Sequence, residues 1–159
     1  MDLEIIPKQN ATLDFNPKEI KVQYIEYTDP VDHPFGNIIE GDDITEEVIS
    51  ELFKNVMSGT SVYLSLIPHG EDDWLEVLSD DTWLALGYSS NGVQDNYYSY
   101  NPDFANSERA EEMTPLLSGG QSEVEKYLAL TDKQAGLKAV EYFIRTGKLS
   151  HNIDWAKQT

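Results

Sequence analysis

At 159 residues the chain has room for one hydrophobic core, and with 40% hydrophobic and 11% aromatic residues it is too apolar for a disordered acidic tail. Its 11 basic and 29 acidic residues give a net charge of −18, well beyond the roughly 2–8 that serves solubility in a small domain. That balance argues against direct binding to nucleic acid or to an anionic membrane, both of which need a basic patch, and the lack of cysteine excludes disulfides, thiolate zinc sites and a cysteine nucleophile.

A single domain over residues 1–159 is expected, with 1–30 as an N-terminal extension carrying one strand. No apolar run approaches the roughly 18 residues of a membrane span, and Met1-Asp2-Leu3-Glu4 lacks the basic start of a secretory signal. A cytoplasmic location follows as an expectation.

In chain order, Ile20–Tyr27 predicts a strand in which Ile20, Val22, Tyr24 and Glu26 alternate with Lys21, Gln23, Ile25 and Tyr27. Asp29-Pro30 ends it, and Pro34–Asp43, with Gly36, Gly41 and Asp42-Asp43, predicts a loop. A helix over Thr45–Met57 follows, capped by Thr45, with Glu46 and Glu47 in the first turn and an apolar stripe of Val48, Ile49, Leu52, Phe53 and Val56. Ser58-Gly59 stops it. The period then changes to alternation, predicting strands at Ser61–Ile67, Trp74–Leu78, Thr82–Ser89 and Asn96–Tyr100. Their connections, Pro68-His69-Gly70, Asp80-Asp81 and Ser90-Asn91-Gly92, are short enough to favour an antiparallel meander. Asn101–Gly120 predicts a long loop, Glu125–Leu130 a strand, and Thr131-Asp132-Lys133-Gln134 a capping box opening a second helix. That helix, Asp132–Thr146, would turn Leu137, Val140, Phe143 and Ile144 inward and end at Gly147. Gly136 in its first turns costs roughly 1 kcal/mol relative to Ala, so either packing compensates or the helix approaches its neighbour closely, and Ile153 and Trp155 mark a terminal extended segment.

Together these elements predict an α+β protein: an antiparallel sheet of about five or six strands with the two amphipathic helices on one face. Catalytic signals are weak. No Gly-x-Ser-x-Gly elbow is present, and His33, His69 and His151 form no metal-ligand pair. The doublets Asp42-Asp43, Asp72-Asp73 and Asp80-Asp81 lack the spacing of a calcium loop and fit turns and caps. Neither a catalytic residue, a metal nor a cofactor is therefore expected. The aromatic residues of the meander, beside its acidic turns, have the composition of a protein-binding hot spot. The candidates are Glu71, Asp72, Asp73 and Trp74 at one turn, Asp80, Asp81 and Trp83 at the next, and Tyr97, Tyr98 and Tyr100.

Gly119-Gly120-Gln121-Ser122, Tyr127-Leu128, the helix end Ala139–Gly147 and Ile153-Asp154-Trp155 stand in an order that resembles immunity-protein family one, inhibitors encoded beside bacterial polymorphic toxins. Phe143, Gly147 and Trp155 occupy that family's phenylalanine, glycine and tryptophan positions, and the similarity spans about residues 45–157. The resemblance implies an antitoxin that binds a cognate toxin domain, such as a deaminase or nuclease acting in the cytosol, and blocks it without catalysis, being a monomer or dimer when free. Two other readings stay open: a small ligand-binding or regulatory module, and a hydrolase using paired carboxylates.

Overall fold

The computed structural model describes residues 2–10, 12–29, 33–70, 73–90, 94–106 and 108–159. Its strands are β1 (Leu3–Ile6), β2 (Tyr24–Asp29), β3 (His33–Glu40), β4 (Ser61–Ser65), β5 (Trp74–Ser79), β6 (Leu84–Ser90), β7 (Asp95–Tyr100), β8 (Met113–Ser118), β9 (Ser122–Glu125) and β10 (Asp154–Gln158). Two helices, α1 (Glu46–Ser58) and α2 (Lys133–Thr146), interrupt them. The chain is thus α+β, built on an eight-stranded sheet in the order β1-β10-β7-β6-β5-β4-β2-β3, antiparallel at every pairing, with β8-β9 as a separate hairpin. The expected meander is there as β4 to β7, while the sheet is larger than the anticipated five or six strands.

Alternation puts Ile25, Val62, Leu64, Leu75, Val77, Leu84 and Leu86 on one face of the sheet, where they share a core with both helices. From α1 this core receives Ile49, Leu52 and Val56, and from α2 it receives Ala139, Val140, Phe143 and Ile144. Glycine is required at position 136 because a Cβ there would lie 2.6 Å from Leu84 Cδ2, and Leu84 is fully buried. Thr45 caps α1 by accepting from the Val48 N–H at 3.3 Å. The α1 C-terminus is closed from a distance: the Lys133 ammonium donates to the Met57 carbonyl at 2.7 Å and to the Asp80 carbonyl at 2.5 Å. This cation satisfies an orphan carbonyl and complements the helix dipole.

Several elements depart from the sequence expectations. The strand expected at Ile20–Tyr27 begins only at Tyr24, because its alternation changes phase: Val22 and Ile25, three residues apart, are both buried. Lys21 N–H instead donates to the Ile144 carbonyl at 2.7 Å, so the preceding segment closes the end of α2. The expected loop Pro34–Asp43 is largely β3, an edge strand, and an edge tolerates Pro34 because one side of its backbone needs no ladder partner. Asn101–Gly120 likewise contains β8, whose register shifts between Met113 and Leu117, around Pro115. Glu125–Leu130 is no strand: Lys126–Leu128 is a 3-10 turn, and Leu130 makes an isolated bridge to Leu84. In place of the expected capping box, Asp132 caps α2 by accepting from the Ala135 N–H at 3.1 Å. Asn91-Gly92 falls outside the described residues.

Candidate protein-binding face

The sheet face turned away from the helices carries the complementary set of side chains. Register places Glu26 opposite Tyr63, Tyr63 opposite Glu76, Glu76 opposite Gly87 and Gly87 opposite Tyr98, one continuous row across β2, β4, β5, β6 and β7. Tyr24, Trp74 and Tyr100 flank this row on the same face. Among the described residues, no lysine or arginine occupies an outward strand position on this side.

These groups are held in place by one another. Tyr63 Oη donates to Glu76 Oε2 at 2.8 Å, and Tyr24 Oη donates to Glu26 Oε2 at 3.2 Å. Burial, followed by the neighbouring carboxylates, pushes both phenols up, Tyr63 further than Tyr24. The phenols therefore stay protonated as fixed donors at any physiological pH.

The β8-β9 hairpin lies across the middle of this face. Leu116 and Val124 pack with Leu78, Ala85, Ala129, Trp83 and Phe104 in a second apolar cluster. At the hairpin tip Ser118 Oγ and Gly119 N–H donate to Glu76 at 2.7 and 3.0 Å. Glu76 thus accepts three hydrogen bonds, one from the sheet and two from the hairpin, which makes it the fastening between the two. Beneath the hairpin remains a cavity of about 240 Å³ lined by apolar side chains and by Glu76, Tyr98, Glu123 and Glu125.

The candidates expected from sequence are dispersed. Glu71 and Asp72 lie outside the described residues. Asp73 is half-buried and accepts from Tyr88 Oη at 2.8 Å; burial raises its carboxyl above the usual range, and the Tyr88 hydrogen bond only partly opposes this. Asp80 is a turn residue, accepting from the Thr82 and Trp83 N–H groups at 2.8 and 2.7 Å, with Asp81 exposed beside it. Trp83 is withdrawn from the surface, 8% exposed and set edge-on to Phe104 at 5.4 Å. Tyr97 belongs to the helix side, near Tyr88. Trp74, Tyr98 and Tyr100 are the candidates that share the outward face.

Sequence reasoning passed over Tyr24, Glu26, Tyr63 and Glu76. The signal was available for two of them, since Tyr63 sits between Val62 and Leu64, and Glu76 between Leu75 and Val77. Reading those apolar neighbours as inward turns both polar residues outward.

Of the positions carrying the family resemblance, Gly119-Gly120-Gln121-Ser122 forms the tip of the β8-β9 hairpin and Tyr127-Leu128 lies in the 3-10 turn after it, whereas Phe143, Gly147 and Trp155 lie in one structural unit. Phe143 is buried edge-on to Tyr88 at 5.5 Å, Gly147 ends α2 with φ of 74°, and Trp155 Nε1 donates to the Ser150 carbonyl at 2.7 Å. They fix the path from α2 into β10 and are not on the outward face. Comparison with protein-family models finds none that matches the chain, and a search of curated proteins finds no similar sequence. Among the described residues no helix is long and apolar enough to cross a membrane.

Proposed function

We propose that this chain is a cytoplasmic immunity protein that binds a cognate bacterial toxin domain and blocks its active site or substrate path without catalysis. The observation that carries the reading is the outward sheet face, where Glu26, Tyr63, Glu76 and Tyr98 stand in one row across five strands, with Gly87 between the last two and, among the described residues, no lysine or arginine at an outward strand position. Tyrosines placed beside acids have the composition of interaction hot spots, and hydrogen bonds made before binding lower the entropy lost on association. The charge of −18 adds long-range attraction towards a basic partner. The spacing of Phe143, Gly147 and Trp155 supports the family resemblance but contributes to the fold, not to the contact surface.

The cavity under the hairpin favours a second reading, a small ligand-binding module. At about 240 Å³ this cavity falls below the roughly 300–1,000 Å³ of ordinary small-molecule pockets, whereas the more open groove bounded by Thr60, Leu78, Asp80 and Leu116 reaches about 720 Å³.

Co-expression with the toxin gene adjacent to its own is the direct test. Growth rescue and a stoichiometric complex are expected, and Glu26→Lys should weaken binding by about tenfold or more while leaving the fold intact. Absence of both complex and rescue would exclude cognate immunity for that pair.

A further inference from the structure

We propose that the cavity between the β8-β9 hairpin and the outward face of the sheet is a receptor for one arginine side chain presented by the partner protein. This deepens the proposed function and rests on it in taking the partner to be a protein. The cavity has two kinds of wall. Leu78, Ala85 and Leu128 supply an apolar floor, and Glu76 and Glu125, whose charges both act on Tyr98, stand in its wall, with Glu123 at the exposed rim. None of the lining residues is basic. A floor of this kind suits an aliphatic stem, and carboxylates suit the cation at its end.

Arginine fits better than lysine for two reasons. The Tyr98 ring lines the cavity, and a planar guanidinium stacks on an aromatic face where a compact ammonium does not. Glu76 already accepts from Tyr63, Ser118 and Gly119, so a fork of several donors can engage the remaining acceptor capacity of Glu76 together with Glu125. The Tyr98 phenol is pushed up by burial and then by Glu125 and Glu76, in keeping with a negative field inside the cavity. Gly87 supplies the empty space opposite Tyr98: a Cβ built there would be 3.7 Å from the Tyr98 ring and 4.0 Å from Glu76 Oε1, an ordinary contact. A larger side chain at this position would occupy the cavity without removing any charge.

The test is titration of the isotope-labelled full chain with N-acetyl-arginine amide, with N-acetyl-citrulline amide as the uncharged isostere, following backbone amide resonances. Saturable shifts at Gly87, Gly119 and Val124 are expected on the order of millimolar for arginine. Citrulline should bind at least about tenfold more weakly. Gly87→Val and Glu125→Gln should each weaken arginine binding by about tenfold or more, while Glu47→Gln on the exposed surface of α1 leaves it unchanged. Unchanged melting temperatures establish that both variants fold, and Glu125→Gln decides the matter if Gly87→Val does not fold. Shifts that fail to saturate, that are equal with citrulline, or that survive both cavity variants would overturn the proposal. Because the probe requires no toxin, this result is independent of the growth-rescue outcome.

Discussion

Arg145 is the most deeply buried cation among the described residues, 5% exposed at the end of α2. Its guanidinium donates to both oxygens of Glu46, at 2.6 and 2.8 Å, and to the Glu19 carbonyl at 3.3 Å. The pair joins the start of α1 to the end of α2, and the hydrogen bond to Arg145 holds the Glu46 carboxyl below the usual range. A depressed carboxylate contributes stability that is complete above its unfolded pKa and is lost as pH falls through the folded value. Since Glu46 is itself 55% exposed, solvent screening keeps the contribution modest. Glu46→Gln is therefore expected to cost about 1–2 kcal/mol at pH 7, with the difference from wild type closing below about pH 4. Denaturant unfolding at pH 7 and pH 3.5 checks this, and an equal loss at both would assign the effect to packing. Asp73 has the opposite sign: burial raises its carboxyl, so it opposes folding as pH climbs from its unfolded pKa through the raised folded one. Neither behaviour is legible along the chain, since Arg145 and Glu46 are 99 positions apart.

The β8-β9 hairpin shows how an element can depend on a residue outside itself. It is short, its register is broken near Pro115, and its apolar contacts come from Leu116 and Val124. Glu76 on β5 adds the bonds to Ser118 and Gly119. In Glu76→Ala these are lost and the hairpin should open locally, at a cost of about 1–3 kcal/mol, with the eight-stranded sheet retained. Hydrogen exchange would then speed up by about one to two powers of ten over Met113–Glu125 and remain unchanged in β5 and β6. Acceleration spread evenly over both sheets would contradict a local role. The meander strands could be recognised from alternation because each has one buried face. The strands β1, β3, β8 and β9 could not, because they are edges or hairpin arms containing proline or glycine, or only four residues long.

Across the whole molecule the excess of acid dominates. A charge of −18 on 159 residues repels itself in the compact state, and salt screens that repulsion over about 8 Å at physiological ionic strength. The melting temperature should therefore rise by about 2–4 °C between about 10 and 150 mM sodium chloride, which corresponds to about 1 kcal/mol for a domain of this size. A fall would show that ion pairs such as Arg145–Glu46 outweigh the general repulsion. The same screening should slow association with a basic partner.

By itself the sequence determined the α+β class, both helices with their inward stripes, the central meander and the acidic character, because periodicity and composition are local properties of the chain. Tertiary structure alone decided which side chains share the outward face. Trp83 was turned into a buried cluster and Tyr97 towards the helices, while Tyr63 and Glu76 were joined to a hairpin more than 40 residues away. The physical reason is that strand register and the covering of a sheet face arise from contacts between distant segments, and a one-residue shift in pairing would exchange the two faces.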